Sequence, residues 1–233
     1  MIKQLVMERH GCIIVDINTQ KDLFLSNGSH CIRNHCRILE HIRRIIAWAR
    51  HRYISIISIC ETHRENDVDH NYCIQGTNGQ EKIRYTLLRS CFSFPISSET
   101  DLPINLLYHQ QIILQNRYLD PFDEPRIERL LSEVQAKEFI LIGASIEGAV
   151  LRTALGLLRR GKNVKVVIGA LGSYKEKDAN SGLRKMKVKG AKLIKAENLV
   201  GISHLQHVGI CHCPICERKI VSETAVLVSQ INI

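Results

Sequence analysis

No apolar run in this sequence approaches the length needed to cross a membrane, and the opening residues, Met-Ile-Lys-Gln-Leu-Val-Met-Glu-Arg-His, lack the long apolar centre of a secretion signal. The expectation is a soluble chain in the cytoplasm with no membrane partner. Aromatic residues are scarce, at 5% of the chain, and a second Cys-x-x-Cys pair of the kind that completes a zinc ribbon is missing. The nine cysteines are an odd number, and most lie inside apolar strand or helix patterns, so no disulfide framework is implied. Acidic residues are in deficit, 23 against 32 Lys and Arg, an excess of 9 positive charges. Part of that excess is concentrated between Lys175 and Lys195, where eight basic residues face only Glu176 and Asp178. Only Tyr174 accompanies them, which argues against a stacking platform for single strands there and for a solvated helix and loop.

What is present is a strand, tight turn, helix and strand between Lys137 and Ser173. Phe139 to Ile142 is a short run of β-formers closed by Gly143. Val150, Leu151, Ala154, Leu155 and Leu158 then fall at helical spacing, and Val164 to Ile168 is again continuously apolar. Strands without polar alternation are buried on both faces, so this βαβ unit belongs to a parallel sheet covered by helices. Ligands in such sheets sit at the carboxyl ends of the strands, which directs attention to the turn Gly143-Ala144-Ser145-Ile146-Glu147-Gly148-Ala149.

The remaining elements fit the same α/β class. Cys12 to Ile17 is the first strand, with Asp16 at its carboxyl end and the polar residues Asn18, Thr19, Gln20 and Asp22 following as pocket candidates. Ser29 is the expected cap of a helix from His30 to Arg52, buried through Ile32, Cys36, Leu39, Ile42, Ile46 and Ala49. Cys31 and Cys36 are five apart and point to divergent faces of such a helix, which disfavours a metal there. Tyr53 to Cys60 is the second strand, leading to Glu61 and His63; Gln111 to Gln115 is the third, and Pro125 opens a helix to Ala136. Leu87 to Ser98 and Thr100 to Tyr108, broken by Pro95 and Pro103, read as connecting structure, and Lys187 to Lys195 as a last helix end and strand.

The tail differs in kind. His204, His207, Cys211, His212, Cys213 and Cys216 crowd into thirteen residues. Cys213-Pro-Ile-Cys216 resembles one zinc knuckle, able to present two sulfurs to one tetrahedral ion, with His207 and Cys211 as the completing ligands and His204 and His212 as substitutes. The other reading is a reduced, redox-sensitive cysteine-rich turn.

Four motifs in order, Cys12-Ile-Ile-Val-Asp16, Gln75-Gly-Thr-Asn-Gly-Gln-Glu-Lys82, Asn116-Arg-Tyr-Leu-Asp-Pro-Phe122 and the turn and helix from Gly143, resemble the isochorismatase-like cysteine hydrolases, which include the nicotinamidases. The resemblance implies a three-layer αβα domain over residues 1–198 with a six-stranded, mainly parallel sheet, and leaves 199–233 as a Cys/His-rich extension. It also implies assembly as dimers or larger and a catalytic trio of Asp, Lys and Cys. The family's Asp falls on Asp16, its Lys on Asn116 and its nucleophilic Cys on Ala149. The peptide bond Ala144–Ser145 is cis in this resemblance and contributes to the oxyanion site. A metal held by the nicotinamidase branch would correspond to Glu61, His63 and Tyr72, where Tyr72 stands at a histidine position.

A thiolate at a helix head is favoured by the helix dipole, and a carboxylate beside a lysine shuttles its proton. Ala149 and Asn116 supply neither function. The expected function is therefore a catalytically inactive pseudohydrolase that binds a small molecule or protein partner, with a structural zinc in the tail. The alternative is hydrolysis of a small amide or ester through Asp16 with a relocated nucleophile, Cys60, or a metal at Glu61 and His63. A third reading, nucleic-acid association through the basic segment and the tail, is to be judged by salt-dependent binding.

Overall fold

Ile13, Ile14, Val15 and Ile17 are branched residues that suit a pleated surface buried on both sides, and they form the central strand β1, His10–Ile17. The computed structural model describes residues 10–96, 100–103 and 106–201. After β1 come a one-turn helix α1 (Lys21–Phe24), the long helix α2 (His35–His51), and strands β2 (Ser55–Glu61), β3 (Cys91–Phe94) and β4 (Gln111–Asn116). Helix α3 (Pro125–Glu133) leads to β5 (Ala136–Gly143), α4 (Leu151–Arg159), β6 (Val164–Leu171), α5 (Glu176–Val188), β7 (Lys192–Ile194) and α6 (Ala196–Val200).

The strands form one sheet in the order β3-β4-β2-β1-β5-β6-β7, and every pairing is parallel. From β1 the sheet extends one way through β2, β4 and β3 and the other way through β5, β6 and β7. The carboxyl ends of β1 and β5 therefore flank the point where the strand order reverses, the crevice that such sheets use for ligands. Ile13, Val15 and Ile17 pack with α3, α4 and α5 on one face, while Ile14 packs with α1, α2 and α6 on the other. These are the two cores of a three-layer architecture.

Among the described residues the sheet has seven strands where the sequence reading expects six. The extra strand is β3, within a stretch read as connection; among the described residues it pairs with β4 alone, its first three residues are exposed, and Pro95 follows immediately. A short edge strand ended by proline carries little hydrophobic signal. A second difference concerns the helix expected from His30 under a Ser29 cap. Asn34, not Ser29, stands at the N-cap position of α2. Residues 25–32 instead coil back on α1 through Gly28 N–H to Leu25 O, His30 N–H to Asp22 O and Ile32 N–H to Leu23 O, and the Ser29 N–H donates to Asp22 Oδ1. Asp22 also accepts from the Cys73 N–H at 2.7 Å. One carboxylate thus anchors two loops and outcompetes a helical start.

Between β5 and α4 the chain makes a widened turn, Ile146–Val150, in which Gly148 leaves helical geometry with φ −107° and ψ −115°. Gly143 sits at φ +111°, and a Cβ there would lie 1.8 Å from Ile17 O, so only glycine lets β5 end against β1.

Candidate active site

Strand alternation brings Asp16 and Ser58 to the same face at paired register positions of β1 and β2. Asp16 is fully buried. Its Oδ2 accepts from the Ser58 hydroxyl at 3.0 Å, from the Thr19 hydroxyl at 3.1 Å and from Lys82 Nζ at 2.6 Å. Lys82 Nζ also donates to Thr19 Oγ1 at 2.6 Å. Behind this set, the Gln111 amide donates to Ser58 Oγ and Thr86 O and accepts from the Leu88 N–H. A buried carboxylate needs a countercharge, and here the cation is Lys82. Asp16 Oδ1 is buried without a partner among the described residues.

Lys82 is the residue that sequence reasoning leaves without a role, because the resemblance places the lysine at position 116, at the end of β4. Asn116 is buried there, but its side chain closes a local turn, donating to Tyr118 O at 2.6 Å and accepting from the Tyr118 N–H. The cation comes instead from the Gln75–Lys82 motif. A signal for it exists in the sequence: Ser58 interrupts the otherwise apolar run 56–60, as a buried polar network requires, while Gln111 is the polar residue that opens β4.

Ala149 lies at the head of α4, 7% exposed, and carries no nucleophilic atom. The Ala144–Ser145 peptide bond is cis, as the resemblance implies. Cys60, the substitute thiol, is buried, and burial pushes it up to about 11, with Lys82 pulling the other way. Such a thiol is held in its protonated form at neutral pH, and the thiolate is the nucleophile.

Gln20, Glu61, His63 and Tyr72 are brought together beside this pair. Gln20 is a clamp, donating to Glu61 O and Gln80 O and accepting from the Glu61 N–H. Glu61 Oε1 accepts from the Tyr72 hydroxyl at 3.0 Å and lies 2.9 Å from His63 Nε2, while Oε2 accepts from Asn18 Nδ2 at 2.7 Å. Burial and the Glu61 charge push the Tyr72 phenol far up, so it is a neutral donor. His30 stacks on Tyr72 at 4.3 Å and leans on Tyr174 at 4.4 Å.

The metal that the nicotinamidase branch implies does not fit Glu61, His63 and Tyr72 as they stand. Both carboxylate oxygens are already held by donors, and a protonated phenol replaces an imidazole. The described residues offer another group, His63, Asp67 and His70, whose ligand atoms lie within 4.8 Å of one another. The donor types suit zinc, and the neighbouring His70 ring holds the Asp67 carboxyl below its ordinary value. The two imidazoles, however, are stacked 4.0 Å apart at 3°. Their in-plane lone pairs do not converge until one ring turns. The tail ligands Cys211, Cys213, Cys216 and His207 lie outside the described residues.

Comparison with known proteins places this geometry. The model of the isochorismatase domain matches residues 12–198. No curated protein sequence gives a significant match. Among solved structures, the pyrazinamidase of Pyrococcus horikoshii in complex with zinc is 20% identical, with a TM-score of 0.64 over 79% of this chain and 99% of that one. The nicotinamidase of Bacillus subtilis is 17% identical with the same TM-score and coverage. A ribonuclease named MAR1 from Caenorhabditis elegans is 20% identical, with a TM-score of 0.58 over 92% of this chain and 95% of that one. These likenesses show the fold; the domain match, which spans most of the sequence, shows that the chain belongs to the isochorismatase family.

Proposed function

We propose that this chain is a pseudohydrolase, an isochorismatase frame that binds a small molecule or a partner without covalent turnover. The observation that supports the reading is the turn leading into α4: Ala149, onto which the resemblance places the family's nucleophile, has no nucleophilic atom, and among the described residues the thiol beside Asp16 and Lys82, Cys60, is buried, which pushes its pKa up. Asp16 and Lys82 persist as a buried ion pair that fixes the carboxyl ends of β1 and β2. The supporting test is turnover on an amide and ester panel, including nicotinamide, by the natural chain and by Ala149→Cys. The expected result is no turnover by the natural chain. Turnover gained by Ala149→Cys and lost again with Lys82→Met would show that the acid–base pair survives without its nucleophile. Native turnover abolished by Asp16→Ala would overturn the proposal.

A second reading, hydrolysis of a small amide or ester with Asp16 as general base, is favoured by one observation, the unpartnered Asp16 Oδ1. It predicts native turnover that Asp16→Asn removes. Two further proposals accompany the first. The tail holds one structural zinc through Cys211, Cys213, Cys216 and His207, so elemental analysis should find one zinc per chain that Cys213→Ser removes. The chain assembles as a dimer or larger in the cytoplasm, which light scattering and fractionation test; no helix among the described residues is long and apolar enough to cross a membrane.

A further inference from the structure

A sizeable cavity lies away from Asp16. It is a groove of about 1100 Å³ on the outer side of α2, between that helix and the segment 84–90 that leads into β3. Its walls carry four arginines, Arg43, Arg50, Arg84 and Arg89, with Tyr53 and Tyr85, and no Asp or Glu lines it. Among the described residues no carboxylate pairs with Arg50, Arg84 or Arg89, and all three are exposed. Arg43 lies over the Tyr85 ring, 5.5 Å from its centroid. Tyr53 is 85% exposed and is held outward at φ +54° just past the end of α2.

The second wall is rigid for a reason already described. Gln111 grips Thr86 O and the Leu88 N–H from inside the sheet, and Thr86 Oγ1 donates to Ile83 O. The segment that sends Lys82 inward to Asp16 therefore presents Arg84 and Arg89 outward at fixed positions. Such preorganisation lowers the entropic cost of binding. From Leu39 to Arg50 the groove follows α2 for eleven residues, about 16 Å. That length takes a few consecutive nucleotides. The groove ends at the carboxyl terminus of α2, so its positive potential comes from side chains and not from the helix dipole.

We propose that this groove binds single-stranded nucleic acid, its arginines gripping the phosphodiester backbone and Tyr53 stacking on a base. A line of cations with an exposed aromatic ring is the equipment that single strands require, whereas the bases of a duplex are already stacked and closed to Tyr53. An acidic peptide would satisfy the arginines but leave Tyr53 without a role. The site is independent of the hydrolytic question, because none of its six charged and aromatic residues touches Asp16.

The test is fluorescence anisotropy of the full chain with a labelled 12-nucleotide oligouridylate. Four neutralised phosphates give a slope of log affinity against log salt of about −0.7 each, near −3 in total, so raising salt from 50 to 200 mM weakens binding about 50-fold. Arg84→Glu with Arg89→Glu, both exposed, is expected to weaken binding at least tenfold and to halve the slope, with the circular dichroism spectrum unchanged. Tyr53→Ala is expected to weaken it about tenfold with the slope unchanged. Arg184→Glu with Lys187→Glu changes the net charge equally on α5, across the sheet, and is expected to leave binding within about twofold. Equal losses from both double variants would overturn the proposal, because only net charge would then matter. It would also fall if a duplex of equal length or polyglutamate competed as well as the oligonucleotide, if Cys213→Ser alone abolished binding, or if nothing bound at 50 mM salt.

Discussion

Replacing Lys82 by Met removes the ammonium from the most deeply buried carboxylate of the site while keeping a side chain of similar length. Lys82 and Asp16 have side chains 4% and 0% exposed, and their charges are 2.6 Å apart. Deleting one partner of a buried pair leaves the other charged and without a countercharge, which costs about 3–5 kcal/mol. In a chain of this size each kcal/mol lowers the melting temperature by roughly 2–4 °C, so the single variant should melt about 6–20 °C lower. Asp16→Asn added to Lys82→Met removes the orphaned charge and should return much of that loss, because an uncharged pair of similar shape is tolerated far better. Urea unfolding followed through Trp48, which packs against the core beneath α2, gives the four corners of the cycle. A Lys82→Met loss below about 1 kcal/mol, the scale of an exposed ion pair, would refute the burial of this pair and with it the assignment of Lys82 as the cation of Asp16.

Other outcomes follow from single observations. Iodoacetamide at pH 8 should modify exposed Cys91 quickly and leave Cys60, buried and pushed up to about 11, untouched in the folded protein; peptide mass spectrometry distinguishes the two, and rapid Cys60 labelling would return it as a nucleophile candidate. Burial lowers both His30 and His41 from their ordinary 6.5, so the folded state resists protonation that the unfolded chain accepts. That contribution is present above pH 6.5 and is lost as pH falls below it, so the urea midpoint should drop between pH 7.5 and 5.5, and less in a His41→Gln variant. Gly156→Ala would place a Cβ 2.1 Å from the Phe122 ring, which Arg160 covers from 4.1 Å; a loss of about 1–3 kcal/mol in thermal unfolding is expected, and a gain would show that the ring is free to move.

The parallel sheet and its helices were legible because their signal is hydrophobic periodicity, which the runs at Cys12–Ile17 and Val164–Ile168 carry without help from distant residues. Strand β3 was not legible, since Cys91, Phe92 and Ser93 are exposed and take their conformation from pairing with β4. The start of α2 is not legible in the sequence, because Ser29 has the chemistry of a cap and only the fold shows that its N–H belongs to Asp22. In the site, Asp16 could be read from its place at a strand end. The cation could not, because the resemblance points to position 116, which is Asn in this chain, whereas Lys82 reaches the carboxylate from a segment 66 residues away in sequence. Side chains that converge through tertiary packing leave no local pattern, and the polar interruption at Ser58 is a faint trace of that convergence along the chain.

That separation bears on the order in which the molecule assembles. Strand β1 lies at the middle of the sheet and has to be enclosed early if β2 and β5 are to pair with it. Its carboxylate becomes comfortable in the dry interior only after a loop of 66 residues has closed and docked the 82–90 segment. Sealing the site is therefore expected to be a late event in folding, on the native side of the rate-limiting barrier. Lys82→Met should then act on the unfolding rate and leave the refolding rate nearly unchanged, a kinetic split that stopped-flow measurements on the same variant would read directly.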